Sequence, residues 1–170
     1  MKNKFVSYIK KNKNIFLTVL ITIAIIILIE TIGVVIYKKI NNSIVNNVGV
    51  IVRSTGERTE KECIRRLQKL FGRKNVYLIK NAYPLANASA QTFNLSKQIN
   101  KKWILVVDAD VILFDDKIIN FIEKAQQVIK KDKTAFSFQG MLFDNLMLRN
   151  RYVGFILYYK DNLKFDSNYF

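Results

Sequence analysis

Read for apolar and polar positions, the chain falls into two unequal regimes. The first is one apolar run, "NIFLTVLITIAIIILIETIGVVIY", in which Glu30 is the sole charge. At about 1.5 Å per residue in a helix, a run of this length reaches across a hydrocarbon core of about 30 Å. It predicts a transmembrane anchor over 15–37, behind a basic tail over 1–14 and ahead of a polar linker over 38–47. A helix buried in a soluble core is the competing expectation. A cleaved signal peptide fits less well, because the run is long and no small-x-small cleavage pattern follows it.

The second regime, 48–170, is built of short apolar runs and amphipathic stretches in turn. "VGVIVR" (48–53) reads as a β-branched strand and "STGER" as a loop. Thr59 with Glu62 three residues on predicts a capping box. The helix behind it places Cys63, Leu67, Leu70 and Phe71 on one face, with Gly72 as its C-terminal cap. On that face Cys63 reads as a small core residue rather than a reactive thiol. "NVYLIK" (75–80) predicts a second strand, and a turn around Pro84 leads to an Ala-rich helix over Leu85–Ile99. "KWILVV" (102–107) predicts the third strand. Asp116–Lys130 carries Ile118, Ile122, Ala125 and Ile129 at helical spacing, and "TAFSFQG" (134–140) reads as another strand. Continuously apolar strands alternating with helices predict an α/β fold with a parallel sheet covered on both faces. The aromatic, basic stretch "MLRNRYVGFILYYKDNLKF" predicts a surface helix or strand packed on that core. Its functional alternative is an acceptor or membrane-surface contact through Arg149, Arg151 and Lys160 beside Tyr152, Phe155, Tyr158 and Tyr159.

Charge and composition narrow the chemistry. The chain holds 28 basic against 13 acidic residues, a net charge of +15, which favours polyanionic partners. Its joint richness in Lys, Asn and Ile supplies a compositional explanation for the same charge. Histidine is absent and cysteine occurs once, which excludes Ser-His and Cys-His catalysis, internal disulfides and thiolate clusters. A metal would be held by oxygen, as Mg²⁺, Mn²⁺ or Ca²⁺ are. The lysines ahead of the apolar run (Lys2, Lys4, Lys10, Lys11, Lys13) outnumber Lys38, Lys39 and Arg53 behind it, favouring a cytoplasmic N-terminus.

The candidate chemistry lies in "WILVVDADVIL", where a buried strand runs into Asp108 and Asp110. In an open parallel sheet, ligands bind at the carboxyl ends of the strands. Two hard carboxylates there suit a divalent cation shared with phosphate oxygens. Arg53 and Arg58 flank the loop at the end of the first strand and offer forked contacts to the same phosphates. The alternative is that both aspartates satisfy backbone donors in a turn.

The segment from Val48 to about Gln139 resembles the nucleotide-binding half of a family 2-type glycosyltransferase with the GT-A fold. The likeness rests on "VGVIVRSTGER", the second strand with its Ala-rich helix, "WILVVDAD" and "VILFDDKIINFIEKA". It implies a Rossmann-like sheet, a nucleotide-diphosphate sugar as donor, and Mn²⁺ or Mg²⁺ held by the aspartate pair. By position, Asp110 would be the principal metal ligand and Asp108 would meet ribose or metal-bound water. Thr55 and Glu57, with Arg53 and Arg58, would line the nucleotide pocket. The acceptor would be a glycan or a lipid-linked molecule at the membrane, and no nucleic acid is expected. The chain departs from the family where "IKNAYPL" replaces an acidic turn after the second strand. The acids downstream, Asp144, Asp161 and Asp166, sit in no recognisable catalytic motif. The region behind the anchor is also short for the fold, so a fragment or donor-binding half is expected. Two other readings stand beside it: a membrane-tethered polyanion-binding or nucleic-acid-binding module, and an inactive nucleotide-binding remnant.

Overall fold

The computed structural model describes residues 13–113, 115–144, 149–151 and 154–163 of the chain. Tyr152, Asp166 and the tail through residue 12 lie outside the described residues, as do the side chains of Asp144, Arg149 and Arg151. The chain divides into two compact units, Met1–Asn42 and Ser43–Phe170.

Helix α1 spans Lys13–Asn46. Its stretch Leu17–Ile36 has a mean hydropathy of 2.9, is long and apolar enough to cross a membrane, and is not buried anywhere along its length. Within its own unit this stretch packs into no core, so it stands as a candidate membrane span by length and composition. Thr18, Thr22 and Thr31 donate their hydroxyls to the carbonyls four residues back, at 2.9, 2.9 and 2.7 Å. No hydroxyl there is left to be solvated, as an apolar surrounding requires. The polar stretch that reads as a linker is helical through Asn46, and Ile44 and Val45 in its last turn are buried in the second unit's core.

The second unit follows the expected alternation through its first half. Strand β1 is Val48–Ser54, helix α2 Glu60–Phe71, β2 Val76–Lys80, α3 Leu85–Gln98, β3 Trp103–Asp108 and α4 Asp115–Lys131. β1 lies between β2 and β3, parallel to both. The remaining strands are short: β4 Ser137–Gln139, β5 Leu142–Asp144, β6 Arg149–Arg151 and β7 Phe155–Tyr159. The five-stranded sheet runs in the order β2-β1-β3-β7-β4, while β5 and β6 form a separate antiparallel pair. β7 is antiparallel to both β3 and β4, so the sheet is mixed and the expectation of a wholly parallel one is corrected. The stretch Phe155–Tyr159 reaches back to fill the place beside β3, and its alternate residues Phe155 and Leu157 are buried. Of the two readings of the C-terminal stretch, packing on the core therefore holds for these residues.

Side-chain alternation sorts the core into two faces. Val48, Val50 and Val52 of β1 with Leu105 and Val107 of β3 meet Cys63, Leu67 and Phe71 of α2 and Ile118, Ile122 and Ile129 of α4. Ile51 of β1 and Ile104 and Val106 of β3 face the other way, with Ile79, Ile99 and Leu95. Each fully buried Val, Leu or Ile contributes about 1.5–3 kcal/mol, so the central strands hold the unit together. Gly72 ends α2 at φ +82° with its N–H donated to Gln68 O, as its position in the sequence implies. The capping box does not form. Thr59 is the N-cap, but its hydroxyl donates instead to Ala109 O at 2.8 Å, tying α2 to the end of β3.

Candidate functional site

The register of the central strands sets the site. Arg53 of β1 stands opposite Asp108 of β3, both at the carboxyl ends of their strands. Period-two alternation turns both side chains to the face shared with Ile51 and Val106. There the apolar layer gives way to an ion pair: Arg53 Nε donates to Asp108 Oδ1 at 2.8 Å, and Nη2 reaches the same oxygen at 2.6 Å. The side chains are 17% and 34% exposed, respectively, so the pair is only partly screened by water. Burial pushes the Asp108 carboxyl above its ordinary value. Arg53 opposes that shift, and the neighbouring charges of Asp110 and Glu57 add to it.

The turn after β3 satisfies its backbone without using either carboxylate. Asp108 N–H donates to Gly154 O at 2.7 Å, Ala109 N–H to Arg53 O at 2.9 Å, and Val111 N–H to Asp108 O at 3.0 Å. The reading of the aspartates as turn caps is therefore not what the geometry shows. Asp110 is exposed, and its carboxylate makes no hydrogen bond or ion pair among the described residues.

The loop after β1 is held by Glu57. Its Oε2 accepts from Ser54 Oγ at 2.7 Å and from Thr55 N–H at 3.0 Å, and its Oε1 accepts from Thr55 Oγ1 at 2.9 Å. Burial works against the Glu57 carboxylate, but these donors outweigh it and its pKa is lowered. Gly56 adopts φ +100°, a conformation that favours glycine, and donates to Ser54 Oγ at 3.0 Å. The buried Ser54 hydroxyl also makes a very short contact with Glu60 Oε2. It has one proton to give, so it serves one of the two glutamates at a time.

Around these groups lies a half-open cleft of about 210 Å³, lined by Arg53, Ser54, Thr55, Glu57, Asp108 and Asp110, with Ala82, Leu85 and Ala88 closing its third side. Of the residues singled out in the sequence, five line it together and Arg58 does not; Arg58 is exposed. Ser54 and the small residues Ala82 and Ala88 were not legible as site residues. Ala82 N–H bonds Ser54 O at 3.0 Å, which brings the turn after β2 against β1. Pockets that enclose a whole small ligand usually measure about 300–1,000 Å³, so this cleft suits a small polar group of a larger molecule.

The cleft carries Arg53 against Glu57, Asp108 and Asp110, and that arginine is already engaged by Asp108. An anion entering alone would meet net negative charge. A hard divalent cation fits better, with Asp110 open and Asp108 Oδ2 not engaged by Arg53. Among the described residues no group of three or more His, Cys, Asp or Glu is placed to hold an ion. The fit is therefore to a cation shared with a ligand's oxygens rather than one caged by protein. The chain matches no known protein family, no curated protein and no solved structure.

Proposed function

We propose that this chain is a membrane-anchored glycosyltransferase of the GT-A kind, moving a sugar from a nucleotide-diphosphate donor to an acceptor hydroxyl. The observation that carries the reading is Asp108 and Asp110 in one cleft at the carboxyl ends of adjacent parallel strands, one carboxylate held and the other open. In this reading Asp110 and the outer oxygen of Asp108 hold Mn²⁺ or Mg²⁺ together with the donor's phosphates. When bound, the cation supplies Lewis-acid stabilisation of the departing diphosphate. Thr55 and the loop fixed by Glu57 bound the nucleotide side, and Arg53 orients Asp108 and opposes the upward shift that burial imposes on it. Leu17–Ile36 serves as the anchor. The size of the cleft supports seating of the diphosphate, leaving base and sugar to its open rim.

The test is calorimetric titration of UDP and GDP into the full chain in detergent, with and without Mn²⁺, beside Asp110→Asn. Metal-dependent binding that Asp110→Asn weakens at least tenfold supports the reading. A folded chain that binds neither nucleotide under either condition sinks it. Binding without sugar transfer to any acceptor would identify a nucleotide-binding remnant instead.

A further inference from the structure

The sheet edge opposite the cleft has a charge of its own. The parallel pairing aligns the starts of β1, β2 and β3, with Val48 level with Trp103 and Val50 level with Val76. The segments leading into those starts are basic. α2 ends with exposed Lys69, followed by exposed Arg73 and Lys74 just ahead of β2, and exposed Lys102 precedes β3. α4 ends in exposed Lys130 and Lys131, with Lys133 before β4.

Hydrogen bonds join these segments into one edge. Lys160 N–H donates to Lys102 O at 2.9 Å, and Asn162 Nδ2 donates to Lys133 O at 2.7 Å. Five strands about 4.8 Å apart make this edge about 20 Å wide. Among the described residues the acids in these segments are Asp132, which accepts from Thr134, and Asp161, which accepts from the Tyr159 hydroxyl, and the basic residues outnumber them. The cleft edge is mixed, with Glu57, Glu60, Asp108 and Asp110 beside Arg53, Arg58, Lys61 and Lys80.

The chain also enters the unit at the basic edge. Ile44 and Val45 pack into the core, Asn46 O accepts from Lys101 Nζ at 2.7 Å, and β1 begins at Val48. From Ile36, where the apolar span ends, to Ser43 the chain can reach no more than about 25 Å even when extended. A domain tethered so closely meets its own bilayer at high effective concentration.

We infer that this edge, around Lys69, Lys74, Lys102, Lys130, Lys131 and Lys133, is a docking surface for anionic lipid headgroups. Charge complementarity selects a negative surface, and the tether at the same edge selects the bilayer over a soluble polyanion. Lysines near an anionic leaflet are attracted within roughly one Debye length, about 10 Å at 0.1 M salt. The docked domain turns its acidic cleft away from the lipid. This inference is independent of the reaction proposed above and rests on the apolar span being inserted.

The test reconstitutes the full chain in nanodiscs of phosphatidylcholine, alone or with phosphatidylglycerol, and follows acetylation of individual lysines by mass spectrometry. Labelling of Lys74, Lys102, Lys131 and Lys133 is expected to slow several-fold on the anionic discs. It should recover in about 1 M salt, where screening shortens to about 3 Å. Lys61 and Lys80, near the cleft edge, should be unaffected. Equal rates on both lipids overturn the proposal, as does equal slowing of Lys61 and Lys80. A duplex oligonucleotide that slows the edge lysines on neutral discs, where phosphatidylglycerol does not, assigns the edge to nucleic acid and overturns it too. A chain that fails to co-purify with the discs removes the anchor, and the inference with it.

Discussion

Arg53 and Asp108 face each other across the parallel β1–β3 pair, and the arginine spends both Nε and Nη2 on one carboxylate oxygen, Oδ1. Removing the arginine leaves a half-buried carboxylate without its cation. Arg53→Met should destabilise the domain by about 1–3 kcal/mol, between the values for exposed and buried pairs. Combining it with Asp108→Asn should recover much of that loss. Trp103, the single tryptophan, is 4% exposed and reports unfolding of this domain in urea. Additive losses in the double variant would mean the pair is not coupled.

Burial among Leu67, Phe71 and the central strands pushes the Cys63 thiol up to about 11, with the charges of Asp110, Glu57 and Asp108 adding to the shift. The native chain should therefore resist maleimide at pH 8 and react fully once unfolded. Rapid labelling of the native chain would show that the α2 face is open.

Gly140 leaves no room for a side chain: an added Cβ would lie 1.9 Å from the ring of Phe155 in β7. Gly140→Ala should cost about 1–3 kcal/mol, because the ring is buried and β7 is held on both sides. Gly33→Ala, with nothing within 4 Å, should leave the Trp103 unfolding transition unchanged. Equal effects of the two substitutions would contradict this packing.

Acid stability carries two opposing contributions. Hydrogen bonds from Arg65 and Arg66 lower the Glu62 carboxyl from 4.5 to about 2. Its contribution is present above pH 4.5 and is lost as the pH falls toward 2. Asp108 has the opposite sign. Its raised value favours the protonated native state, so that contribution is complete below the ordinary carboxyl value of 3.8 and lost as the pH rises. Thermal melts across this range should show a shallower acid loss for Glu62→Gln and a steeper one for Asp108→Asn. The Glu62 effect should fade in high salt, because the group is exposed.

How much of this was legible depends on which contacts are local. β1, β2, β3 and their helices show in the sequence because each is a run with its own period and its own stop signal, such as Gly72. The cleft residues Arg53, Thr55, Glu57, Asp108 and Asp110 were legible because strand ends concentrate polar groups. What escaped depends on partners far away in sequence. Thr59 reads as a local cap, yet its hydroxyl is taken by Ala109, fifty residues on. Ser54 looks like the first residue of a loop, and its burial follows from Glu57 and Glu60 folding over it. The direction of β7 was hidden because "FILYY" suits a strand of either sense. Only its pairing with Trp103–Val107 decides.

That placement has a consequence for the newborn chain. As synthesis proceeds, β1, β2 and β3 can come together once residue 108 is clear of the ribosome, but the flank of β3 remains bare. Its backbone groups and the apolar rows of Leu105 and Val107 wait for Phe155–Tyr159, and β4 has nothing to lie against until the same moment. A naked strand flank is the surface on which chains stick to one another. Between residues 108 and 159, then, the chain has made that flank of β3 but not yet the strand that covers it. That interval ends with the emergence of five residues.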